Sequence, residues 1–442
     1  MLLEFRAKNY KSFKDELVFS LIPAPKQSGL DYSILTKEIN NKKYKAICSS
    51  VIYGPNASGK TNIISAMDTL KSIVLRGHIN NDSDANNPNT AANSLELIPN
   101  NTLKKASPVN FYIKFIEDNY LIEYFLKIDL GKFLDATYDR KIIEEKLLIN
   151  SKVIFSREKD LKIGPMKEIE DLWVNSLDKH YDGACAIAMN NLDPKELFLM
   201  NGFKTMFSSK LVNIITKWFE SKFITVYRAD SLQVIKKFNE NIEKSKYVEK
   251  TLNEAASSFG INSNALGFFK DEESNEAKLC SIFKDQKIAL PANIFESSGT
   301  IRFVNMFPLI INALKNGGVL IVDEFDASIN PKVIMNIINI FHNDEINISQ
   351  AQLIFNTHNP IFLNSNLFRR DEIKFIERDE KSHCSIHYSL SDFETSSTKN
   401  GPGVRKGEDY LKNYFIDKYG AIRDVDFSEI IISALNLKKG DE

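Results

Sequence analysis

The stretch Gly54–Thr61, with the sequence GPNASGKT, follows the apolar run Ser50–Tyr53 and precedes a segment of helical spacing, Asn62–Leu75. Glycine at its first and sixth positions lets the backbone turn its N–H groups inward around an anion, with no Cβ in the way. The helix that follows directs the positive end of its dipole at the same anion. The order of strand, loop and helix therefore predicts a phosphate-binding loop.

Each residue type in this loop has a chemical role. Lys60 supplies a positive charge to the β- and γ-phosphates of a nucleotide, and the Thr61 hydroxyl is a ligand for Mg²⁺. The residues predicted to bind the nucleotide here are Gly54, Pro55, Asn56, Ala57, Ser58, Gly59, Lys60, Thr61 and Asn62.

A second motif supplies carboxylates. Gly317-Gly318 is followed by the apolar run Val319–Val322 and then by Asp323 and Glu324. A continuous apolar run of β-formers is typical of a strand buried on both faces of a parallel sheet. We expect Asp323 to hold Mg²⁺, directly or through water, and Glu324 to act as general base toward the attacking water.

The two motifs are far apart, because Lys60 and Asp323 are separated by 263 positions. This spacing predicts a large insertion whose far end returns to the nucleotide. Just before the acidic strand, Glu296–Thr300 (ESSGT) opens a helix with serine hydroxyls and free N–H groups, which suits a γ-phosphate.

A second apolar strand, Gln352–Asn356, ends in Thr357 and His358. A histidine at a strand end beside the γ-phosphate can donate a hydrogen bond to it and position the attacking water. We therefore predict a catalytic role for His358 together with Glu324.

The order of these motifs resembles the ABC-type ATPase heads of the SMC, RecF and OLD group. The opening segment Met1–Phe13 (MLLEFRAKNYKSF) is similar to the first strand and turn of those heads. The resemblance covers roughly residues 1–75 and 290–425. It implies an α/β fold, an ABC-type P-loop ATPase head with a mixed sheet, an antiparallel β lobe and a short helical insertion.

The resemblance also implies a mechanism shared between two copies, with ATP between them. Ser298 and Gly299 would contact the γ-phosphate of the partner's ATP, Asp326 would lie across the dimer seam, and Lys11 would approach the phosphates from the first hairpin. Two departures are visible. The element is Ser-Ser-Gly-Thr rather than Leu-Ser-Gly-Gly-Gln, and Ser94–Asn110 holds no glutamine to complete the Mg²⁺ shell.

The C-terminal segments Tyr388–Phe393, Tyr410–Tyr414 and Tyr419–Ala421 are more specifically similar to RloA-type ATPases, which include the ATPase of the PARIS antiphage system. This implies an ATP-hydrolysing sensor or scaffold of a bacterial antiphage defence system, dimeric or larger. It would control a separate effector, a nuclease or toxin encoded in the same operon, after a DNA or phage-protein trigger.

The bulk properties fit a cytoplasmic protein. The 442-residue chain is 43% apolar and 26% charged, carries a net charge of −1, and contains no apolar run long enough to span a membrane. Its four scattered cysteines disfavour zinc and disulfides. We expect a head formed by residues 1–75 and 277–425, a β lobe over 76–160, a helical arm over 161–276 for dimerisation or partner docking, and a tail over 426–442.

Two other functions stay open at this level. One is a RecF-like DNA-repair ATPase acting directly on DNA, which the near-neutral charge disfavours. The other is a module that holds ATP structurally with negligible turnover, which the missing glutamine allows.

Overall fold

The computed structural model describes residues 1–80, 95–172, 181–227, 245–247, 250–270, 277–394, 403–423 and 426–437, apart from residues 26, 28, 104, 134, 136, 137, 259, 262 and 406. Within these residues, no helix is both long and apolar enough to cross a membrane.

The strands of the described chain are numbered in chain order. They are β1 (Leu2–Lys8), β2 (Leu17–Ser20), β3 (Ile34–Ile39), β4 (Lys42–Ile47), β5 (Ser49–Tyr53), β6 (Val109–Glu117), β7 (Tyr120–Asp129), β8 (Lys141–Ile149), β9 (Lys152–Arg157), β10 (Leu161–Ile163), β11 (Phe223–Val226), β12 (Ser245–Tyr247), β13 (Ala265–Lys270), β14 (Ala277–Phe283), β15 (Ile288–Pro291), β16 (Val319–Val322), β17 (Gln352–Asn356), β18 (Ile373–Arg378) and β19 (Ser385–Ser389).

The helices are numbered in the same way. They are α1 (Lys60–Arg76), α2 (Tyr181–Asn191), α3 (Lys204–Met206), α4 (Ser209–Lys217), α5 (Lys250–Ser257), α6 (Ala292–Phe295), α7 (Ser298–Asn316), α8 (Pro331–His342), α9 (Tyr410–Phe415) and α10 (Ser428–Leu437). Short 3₁₀ turns lie at Asp31–Ser33, Met166–Leu172, Pro360–Phe362 and Leu390–Asp392, and wide π turns at Leu199–Phe203 and Trp218–Lys222.

A six-stranded sheet with the order β11-β16-β17-β5-β18-β19 positions the site. Its neighbours pair in parallel, except that β19 runs antiparallel to β18. Strands β5, β16 and β17 are buried at every residue, as their apolar runs predict. Because these three strands are adjacent and parallel, the segments that follow them meet at one edge of the sheet.

The two faces of this sheet pack against different cores. Ile52, Ile321 and Ile354 face a core shared with α1 and the antiparallel sheet, whereas their neighbours Val51 and Phe355 face the core formed with α7 and α8. This alternation follows from the two-residue period of a strand. Burial on both faces fixes the register of the strands that carry the site.

A seven-stranded antiparallel sheet, β10-β9-β8-β7-β6-β1-β2, lies over the α1 side. Burial alternates along most of β6 and β7, and the antiparallel β lobe that the resemblance implied is present. The first strand also belongs here, since β1 pairs with β6 along most of its length. Strands β1 and β2, placed with the head in the sequence prediction, are therefore part of the antiparallel sheet.

The prediction of a helical arm over 161–276 was wrong for part of the segment. β11 is a strand of the six-stranded sheet and pairs with β16, because its phenylalanine and β-branched residues favour a strand, in which Phe223 and Val226 are buried. β12 and β13 belong to a four-stranded sheet, β12-β13-β14-β15. Residues 173–180, 228–244, 248–249 and 271–276 of the predicted arm lie outside the described residues.

Candidate functional site

The phosphate loop connects β5 to α1, and its backbone requires both glycines. A Cβ on Gly54 would lie 2.3 Å from the Ile376 carbonyl oxygen of β18. Gly59 has a φ of +110°, and a Cβ there would lie 2.6 Å from Ser12 Oγ. Ala57 also has a positive φ of 62°. These left-handed residues give the loop the backbone turns of an anion-binding nest.

Lys60 begins α1 and is only 5% exposed. Its Nζ donates hydrogen bonds to the carbonyl oxygens of Gly54, at 2.7 Å, and Pro55, at 3.0 Å. Burial lowers the pKa of Lys60 to about 8, although the charges of Glu324 and Asp323 oppose the shift. A buried lysine that donates to neutral carbonyl oxygens is suited to pair with an anionic phosphate.

The two predicted magnesium ligands lie in contact. Thr61 Oγ1 donates to Asp323 Oδ1 at 3.0 Å, and Asp323 is only 6% exposed. Mg²⁺ prefers oxygen ligands in an octahedron at about 2.0–2.1 Å, so that adjacent ligands stand about 2.9 Å apart. The hydroxyl and the carboxylate therefore fit as neighbouring ligands of one ion.

Asn356, at the end of β17, holds the acidic pair and was missed in the sequence prediction. Its amide nitrogen donates to Asp323 Oδ1 at 2.5 Å, and its amide oxygen accepts from the Glu324 N–H at 2.6 Å. The side chain is fully buried. A polar residue at the carboxyl end of a buried strand was the available signal.

Glu324 occupies a strained position beside this amide. Its φ is +49°, in the left-handed region that a glutamate rarely adopts. Its carbonyl oxygen accepts a hydrogen bond from the Arg302 guanidinium on α7, which also reaches the Asp323 carbonyl at 3.4 Å. Asn356 and Arg302 therefore hold this backbone from both sides. Glu324 lines a cavity that also borders the phosphate loop.

His358 follows β17 by two residues and also lines the cavity. Burial, reinforced by the charge of Lys60, lowers the pKa of His358, so the imidazole is neutral at pH 7. Asp326 lies nearby and accepts a hydrogen bond from the Thr357 side chain, while burial raises the pKa of its carboxyl group. A neutral imidazole can donate one hydrogen bond to a phosphate oxygen without adding positive charge.

Ser298 and Gly299 lie at the start of α7, where Ser297 caps the helix by accepting from the Thr300 N–H at 3.1 Å. A Cβ on Gly299 would lie 2.1 Å from the Ser328 carbonyl oxygen, so only glycine allows this contact. Ser298 is exposed. Ser298, Gly299 and Asp326 do not line the cavity of their own chain.

The Lys11 side chain is bound by residues outside the phosphate loop. Its Nζ pairs with the Glu96 carboxylate and donates to Ser65 Oγ at 2.6 Å. Glu96 also accepts from the Tyr227 hydroxyl at 2.9 Å. Lys11 and Ser12 both line the cavity, so Lys11 is near the site with its charge paired to Glu96.

One cavity of about 630 Å³ collects most of the predicted residues. Its lining consists of Lys11, Ser12, Asn56, Ala57, Ser58, Gly59, Lys60, Thr61, Asn62, Ile98, Pro99, Asn101, Phe133, Glu324, Asn356, His358, Arg378 and His383. From the segment Ser94–Asn110, which holds no glutamine, Ile98, Pro99 and Asn101 line the cavity.

The fold and this site define a P-loop ATPase head of the ABC type, with the loop, the acidic pair and the histidine at the carboxyl edge of one largely parallel sheet. Residues 49–171 and 215–364 match the model of the AAA_21 family, described as "AAA domain, putative AbiEii toxin, Type IV TA system". The match spans more than half of the chain, which therefore belongs to this family.

Solved structures give distant matches. The SMC head domain from Thermotoga maritima is 13% identical, with a TM-score of 0.34 over 88% of this chain and 98% of that one. An SmcHead bound to the C-winged helix domain of ScpA is 13% identical, with a TM-score of 0.36 over 88% and 98%. An Smc head with an extended coiled coil bound to the C-terminal domain of ScpA, from Pyrococcus furiosus, is 12% identical, with a TM-score of 0.35 over 88% and 97%. No curated protein gives a significant match.

Proposed function

We propose that this protein hydrolyses ATP with Mg²⁺ between two copies of the chain, as the sensor or scaffold of an antiphage defence system. The observation that carries the catalytic part is the convergence of Lys60, the Thr61–Asp323 pair, Glu324 and His358 at one edge of the sheet. The first motif and the last lie almost 300 residues apart in sequence, yet they border one cavity.

The chain's own residues account for the chemistry. The loop N–H groups and Lys60 bind the β- and γ-phosphates, while Thr61 and Asp323 would hold Mg²⁺, which neutralises charge on the phosphate oxygens. Glu324 accepts a proton from the attacking water, and its left-handed backbone, held by Asn356, fixes the direction of the carboxylate. His358 donates to the γ-phosphate as charge develops there.

The shared site is supported by a predicted phosphate-binding residue, Ser298, that does not line the cavity of its own chain. Ser298 is exposed at the N-terminus of α7, where backbone N–H groups favour an anion, but it does not line the cavity of its own chain. A second copy facing the first would bring its Ser298 and Gly299 to the γ-phosphate. Asp326 accepts a hydrogen bond from the Thr357 side chain, and in this proposal it lies at the dimer seam.

The defence role is supported by the family description, which names a putative toxin of a type IV toxin–antitoxin system, and by the RloA-like C-terminal segments. In this proposal the nucleotide state of the dimer holds or releases a separate nuclease or toxin. Co-expression with the product of the adjacent gene tests it. ATP-dependent co-purification of the two proteins is expected. Phage sensitivity of cells that express both wild-type proteins would contradict the defence role.

The catalytic part is tested by phosphate release and sedimentation of purified variants. Lys60→Ala is expected to lose ATP binding, whereas Glu324→Gln is expected to bind ATP without releasing phosphate and to sediment as a dimer. Glu345→Gln, at an exposed glutamate three residues after α8, is the matched control and should behave as the wild type. Wild-type turnover in Glu324→Gln would show that the base is misassigned.

A further inference from the structure

The turn between β18 and β19, residues 379–384, forms a wall of the cavity beside the phosphate loop. This wall has no role in the proposed hydrolysis. Arg378, the last residue of β18, and His383, within the turn, both line the cavity. The Arg378 Nε donates to the His383 carbonyl oxygen at 3.1 Å, so the turn's backbone positions the guanidinium. His383 has a φ of +56°, in the left-handed region that few residue types adopt readily.

This turn is fastened directly to the phosphate loop. The Ser385 N–H donates to the Ser12 carbonyl oxygen at 2.8 Å, and the Ser385 hydroxyl donates to the Ser58 carbonyl oxygen. Ser12 Oγ lies 2.7 Å from Ser385 Oγ and accepts from the Asn62 amide at 2.7 Å. The wall therefore has a fixed position relative to any phosphate chain bound in the loop.

The direction of the nucleotide follows from the catalytic groups. Lys60, Asp323, Glu324 and His358 mark the end that holds the γ-phosphate. A nucleotide bound in the loop must extend its nucleoside away from that end. The remaining lining includes Arg378, His383 and Phe133, which offer a planar cation, an imidazole and a phenyl ring.

Resting on the proposed function, we propose that Arg378 and His383, with Phe133 of the β7–β8 connection, bind the nucleoside of ATP by stacking on its base and contacting its ribose. Phe133 is 44% exposed, so its ring is available to a ligand in the cavity. Aromatic rings and guanidinium planes both stack on nucleobases. These three residues thereby set the affinity for a nucleoside triphosphate over a bare polyphosphate.

The test compares ATP, ADP and inorganic tripolyphosphate by calorimetric titration against the full chain. Arg378→Ala and His383→Asn are used, since asparagine tolerates a positive φ. Lys381→Ala is the matched control, because it removes a cation from the same turn without altering the cavity lining. We expect about tenfold weaker binding of ATP and ADP in the two variants, as for the loss of one stacking contact, and unchanged tripolyphosphate binding.

Equal weakening of tripolyphosphate, an equal effect in Lys381→Ala, or unchanged ATP binding would each overturn the proposal. Arg378→Lys keeps the charge without the planar group, so it should bind ATP as weakly as Arg378→Ala; wild-type affinity in Arg378→Lys would overturn stacking. The readout is binding alone. A wild type that prefers ATP to tripolyphosphate but releases no phosphate would therefore contradict the proposed hydrolysis while supporting this wall.

Discussion

Replacing Asn356 with alanine should disable hydrolysis while leaving ATP binding intact. The Asn356 side chain makes one hydrogen bond to the Asp323 carboxylate, at 2.5 Å, and one from the Glu324 N–H, at 2.6 Å. It touches no predicted phosphate contact of the loop, and Lys60 keeps its position through the Gly54 and Pro55 carbonyls. The variant therefore separates positioning of the acids from nucleotide affinity.

The magnitude follows from the two lost bonds. A hydrogen bond to a charged group contributes about 1.5–3 kcal/mol and a neutral one about 0.5–1.5 kcal/mol. If about 3 kcal/mol of this acts on the transition state, kcat falls by roughly 100-fold at 1.36 kcal/mol per factor of ten. The left-handed Glu324 backbone, which Asn356 helps to hold, has the conformational strain to relax once the amide is gone.

The assay pairs steady-state phosphate release with equilibrium ATP binding. We expect kcat to fall about 100-fold with the dissociation constant for ATP within threefold of wild type, in keeping with loss of transition-state interactions only. Asn356→Asp keeps the acceptor for the Glu324 N–H but places a second carboxylate beside Asp323, so it should be at least as impaired. A kcat within threefold of wild type in Asn356→Ala would refute the positioning role.

Three further predictions follow. Because burial lowers the pKa of Lys60 to about 8 and bound phosphate favours its charged form, ATP affinity should fall about tenfold per pH unit above about 8; Lys60→Arg should remove this slope, and a flat affinity in the wild type would contradict it. Glu372→Ala should lower the free energy of unfolding by about 3 kcal/mol in urea titrations, since it leaves buried His342 and the Ser49 hydroxyl without their carboxylate partner; a loss below about 1 kcal/mol would contradict it. Gly299→Ala should abolish ATP-dependent dimerisation in sedimentation without preventing ATP binding, because its Cβ would lie 2.1 Å from a backbone oxygen; a dimer of wild-type stability would rule this out.

Some parts of the candidate site lie in short stretches of sequence whose local pattern identifies them. Residues 54–61 and the run ending in Asp323 and Glu324 carry strand, turn and charge signals within about ten residues each, and α1, β16 and β17 lie where these signals predict. The first strand was predicted from the resemblance of Met1–Phe13 to the first strand of the ABC-type heads. Parallel pairing of β5, β17 and β16 then brings the motifs together, although no local pattern specifies that order.

The remaining features depend on contacts between distant segments. Asn356 reaches the acidic pair because β17 lies beside β16. Ser385 reaches the Ser58 carbonyl oxygen because β19, at the edge of the sheet, lies next to the phosphate loop. The partner of Lys11 is Glu96, in a segment whose sequence has no strand or helix period. Phe223–Val226 fell within the predicted helical arm, since a short apolar run fits both the helix and the strand period until its neighbours are known.

The shared site is tested most directly by mixing two inactive proteins. Lys60→Ala lacks a working phosphate loop but keeps Ser298, whereas Ser298→Arg keeps its loop but blocks the partner's γ-phosphate. If the site combines both chains, random pairing of an equimolar mixture forms one complete site in each mixed dimer and restores about a quarter of the wild-type phosphate release. A mixture as inactive as its two components, or full activity of Ser298→Arg alone, would contradict a site built from two copies.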